Sequence, residues 1–214
     1  GSVPKSRIHE KGYIRGFESY KDEAIVQTND DREAFRDAWS ARGSAAWSRS
    51  ACGGCADDLR FVVRRSQMDF LQHFLIGKPL EENAQGSVMA SASMRRPLGE
   101  AWTWGAGLDL EASDSWLRET QDGSSTDGPP AANAIRPAGK HYDYRVDGRT
   151  AGAFATLGWR PDSHWALNAA LRIERTRYDY DNRMIAGNSD ENGVPCGAAG
   201  CLYSRPADRV DDFD

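Results

Sequence analysis

A two-residue alternation, sustained over lengths that soluble strands seldom reach, limits what this chain can fold into more than any other feature. Between Glu100 and Ser115 the even positions are Trp102, Trp104, Ala106, Leu108, Leu110 and Ala112; the odd ones are Thr103, Gly105, Gly107, Asp109, Glu111 and Ser113. One face is apolar and the other polar or glycine. His164–Tyr180 repeats this with Trp165, Leu167, Ala169, Leu171 and Ile173, and Thr150–Arg160 with Ala151, Ala153, Ala155, Leu157 and Trp159. Ser87–Arg96 and Ala38–Arg49 follow the same rule. A weaker sixth segment, Asp58–Asp69, starts an apolar face at Leu59, Phe61 and Val63 that Arg65 interrupts, through either a bulge or an early exit from the apolar layer.

Alanine favours helices, but strict alternation with Gly and Thr opposite argues for strands. The apolar faces run for about 7–11 residues, near the ~9–11 tilted residues with which a β-strand crosses a bilayer. Strands of soluble proteins average only ~5–6 residues. The intervening segments alternate short and long, ending with a 34-residue stretch from Trp116 to Arg149, the short Pro161–Ser163 and a long polar stretch after Tyr180. That asymmetry belongs to outer-membrane barrels, which have short turns on one side and long loops on the other. Trp47, Trp102, Trp104, Trp159 and Trp165 fall beside short turns, and Trp39, Trp116, Tyr142, Tyr144, Tyr178 and Tyr180 near long loops, as two interfacial girdles require. The expected class is therefore all-β: an antiparallel, up-and-down transmembrane β-barrel segment of about six long strands. A secreted β-sandwich binding module is the competing reading, but its core calls for larger and more varied residues than these Ala-rich faces.

Composition is consistent with this reading. The net charge of −5 over 214 residues argues against a polybasic nucleic-acid binder. Mean hydropathy is −0.68, which a strand with one polar face explains without excluding the membrane. Residues Asp179–Asp214 carry eight acidic groups against three Arg, equal to the whole net charge. The opening GSVPKSRIHE lacks a secretion-signal pattern, and the final residues do not resemble a finished strand. Because about eight strands is the smallest membrane barrel, residues 1–214 are expected to be part of a larger barrel, without plug, signal peptide or C-terminal strands.

The cysteines form two close pairs, Cys52/Cys55 and Cys196/Cys201. One pair lies in a short turn and the other in a long loop. With the two rims roughly 25 Å apart, a shared zinc site is excluded and two local disulfides are expected. A redox role for Cys52 and Cys55 is a weak alternative. Asn188-Ser-Asp-Glu-Asn-Gly193 opens like a calcium loop, but Ala199 stands where the closing Glu belongs. There is no nucleophile elbow, phosphate loop or HExxH, so catalysis is not expected. The histidines at 9, 73, 141 and 164 are scattered. Gln72, His73, Glu81, Glu82, His141, Tyr142 and Tyr144 lie in the long-loop regions and are candidates for binding a large polar ligand, with simple loop-to-loop packing as the alternative for each of them.

Several loop-edge strings are more specific than the alternation. They are Glu33-Ala-Phe-Arg-Asp-Ala-Trp39, Met68-Asp-Phe-Leu-Gln-His-Phe74 with Pro79-Leu-Glu-Glu-Asn83, Leu117-Arg-Glu-Thr-Gln121, Gly139-Lys-His-Tyr-Asp-Tyr144, Tyr178-Asp-Tyr-Asp-Asn-Arg183 and Cys201-Leu-Tyr-Ser-Arg-Pro-Ala-Asp-Arg209. In these the sequence resembles the barrel of a TonB-dependent outer-membrane receptor of the siderophore or iron-uptake type. The resemblance implies residence in the outer membrane of a Gram-negative bacterium, contact with its lipid, and import of a ferric siderophore or similar ligand. Energy would come from TonB, acting through a plug and TonB box not seen in this sequence. It implies no cofactor. A diffusion porin or structural outer-membrane barrel shares the alternation and is the alternative.

Overall fold

The computed structural model describes residues 5–8, 17–26 and 33–214. One antiparallel sheet runs through it in simple sequence order: β1 (Lys5–Ile8), β2 (Arg36–Arg49), β3 (Ala56–Leu71), β4 (Leu80–Leu98), β5 (Trp102–Gln121), β6 (Gly139–Trp159), β7 (Leu167–Asn182) and β8 (Arg209–Phe213). A short 3₁₀ turn (Ser19–Lys21) and the helices α1 (Glu23–Val26) and α2 (Pro130–Ala134) complete it. No helix among the described residues is long and apolar enough to cross a membrane.

All six expected strands are present; β2 to β6 are longer than their alternation, whereas β7 begins only at Leu167, leaving Trp165 in the preceding turn. The segments from β2 to β7 hold 14, 16, 19, 20, 21 and 16 residues. The expected 34-residue loop is accordingly reduced to residues 122–138, because Trp116–Gln121 and Gly139–Arg149 are strand. Hydrogen-bond pairing outlasts the apolar face. Beyond that face both sides of the sheet are polar, so the sequence loses its period while the ladder goes on. The register of β3 against β2 and β4 runs from Arg36↔Phe70 to Ala56↔Arg95 without a shift, so Arg65 marks an exit from the apolar layer and not a bulge. Its guanidinium pairs with Asp114 at 3.6 Å.

Register places the apolar residues in rows across the sheet. One row reads Trp47, Leu59, Ala92, Leu108, Ala153, Ile173 from β2 to β7. Each strand packs only on its neighbours in sequence, and no second layer covers this face among the described residues. Leu171 and Ile173 are about two-thirds exposed as a result. Removing such a side chain from water is worth about 1.5–3 kcal/mol, so this face requires an apolar surrounding. A β-sandwich would bury it, and this sheet does not. The belt in β5 extends from Trp102, whose ring lies 5.8 Å from that of Trp159, to Ala112. At ~3.3 Å per residue and a tilt near 40° that is roughly 25 Å, the height of a bilayer's hydrocarbon layer in such barrels.

The opposite face is polar. Arg64 donates to Ser87 Oγ (2.6 Å) and Glu111 (2.5 Å), and Arg172 to Asp109 (2.5 Å) and Glu174. Gly107 lies opposite Phe154, and a Cβ there would come within 2.3 Å of the ring, so the glycine lets the aromatic lie flat on the sheet. The short turns are residues 50–55, 99–101 and 160–166, and the first is closed by the Cys52–Cys55 disulfide. The long loops, 72–79, 122–138 and 183–208, gather at the other end, where Cys196–Cys201 forms the second disulfide. Both expected pairings are therefore present.

Candidate functional site

Most of what is buried in this chain sits at the long-loop end, among the loop-edge strings. His141, Gln121 and Pro79 are the largest fully buried side chains, and Gln72, Glu119, Tyr203 and Arg205 are nearly so. A β-bulge creates the centre. Between Glu119 and Thr120 the register of β5 against β6 shifts, with Glu119 facing Tyr142 and Thr120 facing Lys140. His141 is the extra residue, re-aimed into the packing as bulges do.

Its ring is bound on both sides. Nε2 lies 2.8 Å from the Pro137 carbonyl, which can only accept, and Nδ1 lies 2.9 Å from a Glu119 oxygen. Nε2 therefore carries a hydrogen and donates it to the carbonyl. The ring stacks on Tyr203 at 3.7 Å and 15°. Burial, with the Glu119 charge next, pushes the Tyr203 hydroxyl up to about 12, so it stays protonated.

Two side-chain amides hold the carboxylates. Gln72 Nε2 donates to Glu81 (2.6 Å) and, more weakly, to Glu119 (3.4 Å), while Asn83 donates to the other Glu81 oxygen at 2.6 Å. Beside them Tyr142 meets Tyr203 edge to face at 5.7 Å, and Tyr144 lies 5.2 Å from Tyr180. Register puts Glu81, Glu119 and Tyr142 in one row of the polar face and Asn83, Leu117, Tyr144 and Asn182 in the next. The outcome is a half-buried wall of tyrosine rings and carboxylates, held from behind by amides and an imidazole.

The loops are tied to this wall by Arg205, only 3% exposed. Its guanidinium donates to the carbonyls of Ile185 (2.8 Å), His141 (3.1 Å), Ser189 (2.7 Å) and Asp190 (3.2 Å). Glu191 accepts from the Lys140 amide at 3.0 Å. Asp190, in the stretch that opens like a calcium loop, accepts from the amides of Asn192 (2.9 Å) and Val194 (2.7 Å). At the other loop pair Asp127 accepts from the Gly77 amide at 3.1 Å, and hydrogen bonds from Ser125 and then Gly77 hold its carboxyl below the usual carboxylate range. Gly77 has a φ of 84°, and a Cβ there would strike Gln121.

Of the candidates read from sequence, Gln72, Glu81, His141, Tyr142 and Tyr144 come together. His141 has no exposed atom and supports the wall from within. His73 packs edge-on against Phe74 at 5.7 Å. Glu82 lies on the other face of β4, in register with Asp69 and Arg118. His164 is in the short turn 160–166, and His9 lies outside the described residues. Glu119, Tyr180, Tyr203 and Arg205 complete the site, and residue type alone does not mark them as part of it. Their signal is membership of the strings Leu117–Gln121, Tyr178–Arg183 and Cys201–Arg209.

No cluster of three or more His, Cys, Asp or Glu able to hold a metal occurs among the described residues. Residues 6–197 match the family model described as TonB dependent receptor-like, beta-barrel. No curated protein and no solved structure matches the chain.

Proposed function

The chain belongs to the TonB-dependent receptor-like β-barrel family, and from that premise we propose that it is a stretch of the wall of an outer-membrane receptor importing a ferric siderophore. The bare apolar belt meets lipid, the polar face lines the lumen, and the long loops lie outside the cell. The sheet leaves two edges, β1 and β8, that pair with no other strand among the described residues. In lipid such edges are costly, so the reading includes further strands that close a larger barrel around a plug. TonB would act through that plug.

One observation carries the ligand reading: tyrosines 142, 144 and 180 stand beside Glu81 and Glu119 on the polar face, above the belt, in a fixed arrangement. Rings with polar tips suit a large ligand that is apolar in part and rich in hydrogen-bonding oxygen. The group is preorganised, which limits the ordering cost of binding. In this reading Glu81, Tyr142 and Tyr144 touch the ligand, whereas Gln72 and His141 hold the wall. His73, in the neighbouring loop, and Glu82, on the opposite face of β4, would not touch a ligand held on this wall.

The test uses the full-length receptor and a panel of ferric siderophores, followed by fluorescence quenching. Tyr142→Ala with Tyr144→Ala is expected to weaken binding of the cognate member about tenfold or more, as two lost aromatic contacts do. Heat-modifiable migration should stay normal. Unchanged affinity across the panel would contradict the ligand reading.

A further inference from the structure

On the apolar face at the long-loop edge of the belt, the register places Arg149 of β6 directly opposite Arg177 of β7, with Arg175 one row nearer the belt centre. Arg175 pairs with Asp212 at 3.5 Å and Asp214 at 3.6 Å. Arg149 and Arg177 are exposed and make no ion pair within 4 Å among the described residues; Asp212 of β8 stands opposite Arg177 in register and lines the same trough, but its carboxylate is taken by Arg175. In the next row outward, Asp147 is taken by Arg145 at 3.2 Å and Asp114 by Arg65 at 3.6 Å, while Asp179 stands opposite Asp147. Beneath the arginines lies a trough of about 540 Å³ on whose floor are Val88, Leu110, Ala112 and Ala151. The alanines leave it open. Like charges directly opposite each other across strands repel, and an anion between them removes the penalty. Guanidinium groups match phosphate oxygens in pairs. The upper end of the belt is the depth at which lipid headgroups lie.

We propose that this trough seats an anionic, phosphomonoester-bearing lipid of the outer leaflet, with the phosphate on Arg149 and Arg177 and an acyl chain along Leu110, Ala112 and Ala151. The inference rests on the reading that the apolar face meets lipid. A lipid held there would stiffen the β6–β7 pair below the tyrosine wall.

The full-length receptor, reconstituted in nanodiscs of phosphatidylcholine doped with diphosphoryl lipid A, provides the test. Lipids surviving detergent exchange are counted by native mass spectrometry. Lipid A should be retained about tenfold over phosphatidylcholine, the discrimination expected of two charge-assisted contacts. Arg149→Gln with Arg177→Gln should bring the ratio to parity, and Ala151→Trp, which fills the trough, should lower retention without altering charge. Parity in the unsubstituted receptor, an unchanged ratio in the double variant, or full displacement of lipid A by inorganic phosphate would overturn the proposal. A receptor that inserts without discriminating lipids removes this inference alone, whereas one that fails to enter the bilayer overturns the barrel reading with it.

Discussion

His141 shows how little of a residue's role its type reveals. As one of four histidines it is a natural candidate for contact with a ligand, yet its ring is sealed between Pro137, Glu119 and Tyr203. Replacing it with Ala leaves the Pro137 carbonyl buried without its donor and the Glu119 carboxyl with only the weak contact from Gln72. Leaving a buried acceptor unsatisfied costs about 1–3 kcal/mol. The expected outcome is faster amide exchange at the ends of β5 and β6 and in residues 183–208, with the belt unaffected. Tyr203→Phe should keep the stack and leave exchange near the parent's. Asp127 gives a pH-dependent case. Its lowered pKa means that its tether to the Gly77 amide is fully present above the ordinary carboxylate range and is lost as pH falls through the lowered value. Exchange at Gly77 should therefore quicken only in strong acid, and Asp127→Asn should remove that dependence.

Among the elements, the strand interiors are legible in sequence and their extents are not. From Trp102 to Ala112 lipid and lumen impose opposite demands on alternate residues, so the period is plain. From Ser113 to Gln121 both faces meet water or loops, and nothing in the pattern separates strand from loop. β1 and β8, at 4 and 5 residues, are too short to carry a period. The same limit governs the site. Glu81 and Glu82 are indistinguishable until the register assigns them to opposite faces, and Arg205 bonds to backbone carbonyls, which leave no trace in side-chain types. The face assignment makes a directional prediction for β5. Leu108→Arg, near the middle of the belt, should destabilise the full-length barrel by about 2–4 kcal/mol in a bilayer. Trp116→Arg, above the belt, should cost about 0–1 kcal/mol. Denaturant titration in liposomes measures both.

At the scale of the whole molecule, the chain divides into a bare apolar belt and a loop-capped polar wall, both served by the same long strands. Their separation explains why the buried residues collect at one end, since the belt is buried by its surroundings and only the wall needs protein packing of its own. It also lets the two parts be altered independently, so Tyr142→Ala should change ligand affinity without changing membrane insertion. The central claim is that the apolar face of this sheet contacts hydrocarbon over one defined height. Nitroxide labels at successive positions from Trp102 to Trp116 in the reconstituted full-length receptor test it directly. Accessibility to oxygen dissolved in the bilayer should peak at every even position up to Ala112 and fall away at Asp114 and Trp116. Accessibility without a two-residue period, or uniform protection of the even positions from both lipid and water, would contradict it.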